Sequence, residues 1–375
     1  MLLSKIKDAV FNTVHTTENI FDRIRFVFRK NVGLLKPLKI EPFLGYAYED
    51  RVVLHGRVLE DQNINPAKED DTLFNNFKTA FKRFNTAEAP DVEIKLSIGN
   101  SEAKIITDEE GYFDTQLFNI DIPRGEGLIR SYDARITNNP HRSGETISAE
   151  GEFIIPTPDT EFGIISDIDD TIIRSDVTNL LRMIRLTFFN NARTRVPFPG
   201  VSEFYHALQK GKSGSAQNPI FYVSNSPWNL YDLLKSFLDF HNIPVGPLLL
   251  RDIGIDKDKF ISFDSYNGKI FRITKLLKFY PDLKFILIGD SGESDPEIYE
   301  EVTRMFPDRI KAIYIRDVTL TRKNALKEIG EKIKERNIEY LVVEESIEAA
   351  EHAAEVGLIG KEQLRIIKRE EKEDS

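Results

Sequence analysis

The chain has 375 residues, with 51 lysines and arginines against 61 aspartates and glutamates, for a formal net charge of −10. It exceeds the roughly 250 to 300 residues at which single cores stop growing, so two domains are expected, and its acidic balance makes nucleic acid an unsuitable partner. It contains no cysteine, which excludes disulfides, zinc-thiolate sites and thiol nucleophiles and fits a cytoplasmic protein.

Residues 1–48 read as a basic amphipathic helical segment. Leu3, Ile6, Val10 and Val14 share one face, and Ile20, Ile24 and Val27 continue at helical spacing. Arg23, Arg25, Arg29, Lys30, Lys36 and Lys39 make its end basic. Such a stretch either packs its apolar face on the protein or makes a peripheral contact with an anionic membrane surface. Ser4, Lys5, Lys7 and Asp8 break the apolar run that a signal sequence needs, and no window offers the roughly 18 consecutive apolar residues of a spanning helix.

Residues 49–157 change to period two. Val92, Ile94, Leu96 and Ile98 alternate with Glu93, Lys95 and Ser97, as in a strand with one buried and one wet face. Residues 52–59, 132–137 and 147–155 are further strand candidates, and Asp108 to Gly111 is a turn. Together they predict a small β-sandwich. Phe74, Phe77, Phe81 and Phe84 place a helix between Asp70 and Ala87 whose aromatic stripe is packing. Pro156-Thr157-Pro158 is a linker.

Across residues 160–350 short apolar strands, 163–166, 220–223, 285–288, 312–315 and 340–343, alternate with amphipathic helical stretches. This pattern predicts an α/β unit: a Rossmann-like parallel sheet covered on both faces, with ligands beyond the carboxyl ends of its strands. Residues 351–375 complete the chain as a helical, charged tail ending in R-E-E-K-E-D-S.

The residues after the strands carry the chemistry. After the first come Asp167, Asp169, Asp170 and Thr171, in F-G-I-I-S-D-I-D-D-T-I-I. A carboxylate can attack phosphorus to give an aspartyl-phosphate, and a second one two positions on can protonate the leaving oxygen and then deprotonate water. Asp167 takes the first role and Asp169 the second. An EF-hand loop is excluded, because its glycine and later glutamate are absent. After the second strand Ser224 offers a hydroxyl for a phosphate oxygen, while Trp228 reads as a packing anchor. Lys269, with Lys275 as its rival, would neutralise phosphoryl charge. In G-D-S-G-E-S-D-P-E, Asp290 and Asp295 supply oxygen ligands of the kind magnesium prefers, with Glu293 as a further candidate.

The ordered set D-x-D-x-T, Ser, Lys and G-D-x-x-x-x-D resembles the four motifs of the haloacid dehalogenase superfamily. More narrowly, D-I-D-D-T at 167–171, S-P-W-N-L at 226–230 and G-D-S-G-E-S-D-P-E-I-Y at 289–299 resemble the actin-patch-associated phosphatidate phosphatase family, and F-L-G-Y and G-R-V-L at 43–46 and 56–59 resemble its opening segment. The resemblance implies a haloacid dehalogenase-type sheet preceded by the sandwich. It also implies a Mg2+-dependent phosphatase acting on a phosphate monoester, plausibly the lipid phosphatidate. Asp167 and Asp169 would be catalytic; Thr171, Ser224 and Lys269 would bind phosphate; and Asp167, Asp169, Asp290 and Asp295 would surround the metal. Family spacing favours Lys269 over Lys275.

The chain departs from that pattern where Gly268-Lys269 replaces His-Lys and where Glu293 replaces Gln. Between Thr171 and Ser224 there is room for only a minimal cap, which suits a bulky substrate. Gly211-Lys212-Ser213 is not a P-loop, since the earlier glycine is missing. Two other readings stay open: the same chemistry on a soluble metabolite or phosphoprotein, and a membrane- or protein-binding module with a vestigial site.

Overall fold

The structure, a computed structural model, describes residues 36–61, 89–139, 146–168, 200–251, 265–318 and 321–373. The helices expected before residue 36 and around Phe74 to Phe84 lie outside these residues, as do Asp169, Asp170, Thr171 and the cap region up to residue 199.

The amino-terminal unit has seven described strands: β1 (Leu38–Tyr48), β2 (Arg51–Glu60), β3 (Glu93–Ile98), β4 (Ser101–Ile106), β5 (Tyr112–Leu117), β6 (Ile129–Asn138) and β7 (Ser148–Ile154). They form one mixed sheet in the order β4-β3-β6-β7-β1-β2-β5. Where the sequence suggests two stacked sheets, β1 carries the hydrogen bonding across. It pairs antiparallel with β2, shifts register between Phe43 and Tyr46, and there pairs parallel with β7 through Gly45 and Tyr46. The end strands β4 and β5 come together, so the sheet folds over its own core of Val52, Leu54, Val58, Ile94, Leu96, Phe113 and Phe153.

Residues 38–48, expected as the end of the amino-terminal helical segment, are therefore strand. The correction has a physical source: Leu38 to Tyr48 finds a full-length partner in β2, from Leu38↔Glu60 to Tyr48↔Arg51. A pairing made across a turn leaves no trace in apolar spacing alone.

The second unit contains β8 (Gly163–Ser166), β9 (Ile220–Pro227), β10 (Leu248–Arg251), β11 (Phe285–Asp290), β12 (Ile310–Arg316) and β13 (Glu339–Val343). All pair in parallel, in the order β10-β9-β8-β11-β12-β13. Counted within the unit, the strands run third, second, first, fourth, fifth, sixth, which is the order of a doubly wound sheet. The order reverses between β8 and β11. The strand β10 is unforeseen because Leu248-Leu249-Leu250 is too short to show a period.

Helices cover both faces. On one lie α1 (Val201–Lys210), α2 (Tyr231–Phe240), α6 (Ser346–Glu355) and α7 (Lys361–Glu373), packed with Ile164, Tyr222, Ile286 and Tyr314. On the other lie α3 (Ser265–Phe279), α4 (Asp295–Met305) and α5 (Lys323–Lys334), packed with Ile165, Phe221, Leu287 and Ile313. The helix α7 corrects the reading of residues 351–375 as a tail. Its Ile367 is buried in the same cluster as α1 and α6, so the unit extends past residue 350. None of the described helices is long and apolar enough to cross a membrane.

The two units share apolar surface. Phe43 stacks on Tyr231 at 3.9 Å and on Trp228 at 5.5 Å between ring centroids, so Trp228 is a packing residue. Tyr46 meets Phe221 and Phe279 edge-on. Polar ties surround these contacts: the Leu44 amide donates to the Tyr231 hydroxyl at 2.9 Å, Tyr48 to Asp282 at 2.7 Å and Arg51 to the Phe279 carbonyl at 3.0 Å.

Candidate active site

The reversal between β8 and β11 lies in the middle of the parallel sheet, and the carboxyl edge at such a reversal is the place where open α/β sheets bind ligands. Asp167 follows β8 and is held there by its amide, which donates to the Ile288 carbonyl at 2.9 Å. Asp290 is the last residue of β11. Asp295 opens α4, and its Oδ2 accepts the Asp290 amide at 3.2 Å. All three side chains are buried, and each offers a carboxylate oxygen within 4.8 Å of the others.

Gly289 makes this approach possible. A Cβ there would lie 2.8 Å from Cβ and Cγ of Asp295, closer than packed atoms tolerate. Asp290 sits in a cradle of main-chain donors, since its Oδ1 accepts the Gly292 amide at 2.6 Å and the Glu293 amide at 2.9 Å. Underneath, the Tyr299 hydroxyl of α4 donates to the Ile288 carbonyl at 2.8 Å. Ser291 ties the loop to the next strand end, donating through Oγ to Asp317 at 2.9 Å and through its amide to the Arg316 carbonyl at 2.8 Å.

Lys269 reaches the cluster from α3. It is fully buried, and its ammonium donates to Asp167 at 2.7 Å, to Asp295, and to Glu293 at 3.5 Å. The three N–H donors of a lysine are thus matched to three carboxylates. Desolvation works against the charged form, but Asp167, Asp295 and Glu293 outweigh it, and the Lys269 pKa is raised well above its ordinary value. Lys275, the rival from sequence, lies on the same helix but is absent from this set.

Burial, followed by the facing Asp295, pushes the Asp290 carboxyl up to about 8. One lysine therefore stands among four carboxylates, with Glu293 partly exposed. An all-oxygen donor set with surplus negative charge fits a hard divalent cation. Asp167, Asp290 and Asp295 are the described residues that would hold it.

Ser224 is buried in β9, beside β8, with its Oγ accepting the Ser226 amide at 2.9 Å. The following Asn225 accepts from Arg272 of α3 at 2.8 Å. The structure thus brings Asp167, Lys269, Asp290 and Asp295 into one cluster and places Ser224 on the strand next to it; Asp169 and Thr171 fall outside the described residues. Sequence reasoning missed the supporting roles of Gly289, Tyr299 and Asp317. The close G-D-to-D-P spacing was the available signal for Gly289, and the other two had none.

Residues 162–317 match the family described as phosphatidate phosphatase APP1, catalytic domain. This segment is similar to the APP1 catalytic domain. The phosphatidate phosphatase APP1 of Saccharomyces cerevisiae is 42% identical over 155 residues, covering 41% of this chain and 25% of the yeast protein. An uncharacterized protein of Schizosaccharomyces pombe is 32% identical over 156 residues, with coverage of 41% and 25%. The chain thus matches about a quarter of the length of these relatives. Among solved structures, a carbohydrate acetylesterase from Xanthomonas citri aligns over 74% of this chain and 68% of its own at 10% identity, with a TM-score of 0.28, too slight a likeness to bear on fold or function.

Proposed function

We propose that this chain is a Mg2+-dependent phosphatase that hydrolyses a phosphate monoester through an aspartyl-phosphate, with phosphatidate as the first candidate substrate and diacylglycerol as its product. The observation that carries this reading is the buried cluster of Asp167, Asp290, Asp295 and Lys269 at the reversal of a parallel sheet. The match to the APP1 catalytic domain supports the substrate. We read the parallel unit as haloacid dehalogenase-type with a minimal cap.

In the first step an Asp167 oxygen attacks phosphorus, the bond from phosphorus to the leaving oxygen breaks, and Asp169 gives that oxygen a proton. In the second, Asp169 takes a proton from water as the water oxygen attacks phosphorus, and the bond to Asp167 breaks to release phosphate. Asp167, Asp290 and Asp295, with Asp169, would hold Mg2+, which when bound supplies charge neutralisation for the transferring group. Lys269 aligns Asp167 through its 2.7 Å bond. Ser224 and Thr171 would contact phosphate oxygens.

Phosphate release from short-chain phosphatidate, sugar phosphates, nucleotides and phosphopeptides, with Mg2+ and with EDTA, tests the reading. Mg2+-dependent turnover highest on phosphatidate is expected. A preference for a soluble phosphate by orders of magnitude would reject the lipid substrate, and turnover unchanged in EDTA would reject the metal.

A further inference from the structure

Arg322 lies at the start of α5, beyond the residues matched by the APP1 catalytic domain. Its guanidinium spans the acidic loop from behind. Nη1 donates to the carbonyl of Ser291 and to that of Glu293, each at 2.9 Å, and Nη2 donates to the Glu297 carboxylate on α4. The same loop turns its amides the other way, with Gly292 and Glu293 donating to Asp290 Oδ1. One side of the peptide chain therefore shapes the seat of Asp290, while the other side is gripped by Arg322.

We propose that Arg322 is a positioning residue for the reaction: it fixes residues 291–293 so that the Asp290 carboxylate is held ready for the cation. This rests on the reading of the cluster as a divalent-cation site. A planar fork with five N–H groups can serve two carbonyls and a carboxylate together, whereas a lysine is a single point of charge and cannot reproduce that span. Its link to Glu297 also fixes the distance between the loop and α4, the helix that carries Asp295. The grip thus acts on both Asp290 and Asp295 without touching either.

Groups that orient a metal ligand typically matter by about 10- to 100-fold in metal affinity or activity. The test uses the full chain with Arg322→Ala, Arg322→Lys and Glu297→Gln. It reads Mn2+ binding by calorimetry, amide exchange of residues 291–294 in EDTA, and kcat and KM on p-nitrophenyl phosphate. The expected result is a folded Arg322→Ala protein whose Mn2+ affinity falls about 10- to 100-fold. Its 291–294 amides exchange faster even without metal, and its kcat falls while KM holds. Arg322→Lys restores little of the affinity, and Glu297→Gln loses less than Arg322→Ala. Wild-type affinity and wild-type exchange in folded Arg322→Ala would overturn the role of Arg322 and leave the proposed function standing. A wild-type protein that binds no Mn2+ would instead overturn the reading of the cluster, and this role with it. Should Arg322→Ala fail to fold, Arg322→Lys carries the test, and wild-type affinity there would overturn the proposal.

Discussion

The two sheets of this protein solve burial differently. In the amino-terminal sheet, β3 and β6 alternate buried positions with half-buried or exposed ones, so polar side chains find water all along the strands. In the parallel sheet, β8 and β11 are buried at every position, with helices on both faces. Polar chemistry is then confined to the strand ends, and a charge there enters a dry environment where each partner counts for more. On the first sheet Lys104 pairs with Glu93 at 3.0 Å at the surface; at the strand ends of the second, Lys269 is buried together with Asp167 and Asp295.

Substitutions can break this contrast at graded strength. Asp167→Asn should lower kcat by at least about 10³-fold, as removal of a nucleophile does. Circular dichroism should show an unchanged fold, and retained turnover would remove Asp167 from the mechanism. Lys269→Met leaves buried carboxylates without their cation, for which a loss of about 3–5 kcal/mol is expected in urea unfolding. Millimolar Mn2+ should restore part of that stability, and a neutral result would mean the cluster is already compensated. Phe43→Ala empties the aromatic stack between the two units at a cost of about 3–5 kcal/mol. Mn2+ affinity should stay unchanged, and a parallel loss of affinity would show that the interface and the site are one cooperative element.

Gly289→Ala forces Asp295 away from Asp290 and should cost about 1–3 kcal/mol from overpacking. The decisive readout is kcat, which should fall although no polar group is removed. At the weak end, Lys104→Ala breaks a solvent-exposed pair on the first sheet and should change stability by less than about 1 kcal/mol. A larger effect measured by urea unfolding would contradict the view that this face is simply wet.

Much of the parallel unit is legible because its central strands are fully buried apolar runs that end in polar residues. The apolar run Gly163 to Ser166 marks the strand at its observed bounds, and the polar residues Asp167, Lys269, Asp290 and Asp295 stand out in the motifs that follow the strands. The edge strand β10 and the buried helix α7 were not legible. The first is too short to show a period, and the second is so charged that only Ile367 and its neighbours reveal a packed face. The strand β1 is not legible as strand because its partner β2, not its own spacing, decides its conformation.

The sequence by itself determined which chemical groups this protein has and in what order they follow the strands, since local apolar period and motif spacing are written along the chain. Only the tertiary structure decided that Lys269 spends its three donors on carboxylates, that Gly289 exists to admit Asp295, and that Arg322 grips the acidic loop from behind. These are contacts between residues far apart in sequence or on opposite sides of one peptide, and the charge and burial that set their strength come into being only when the sheet and helices close around them.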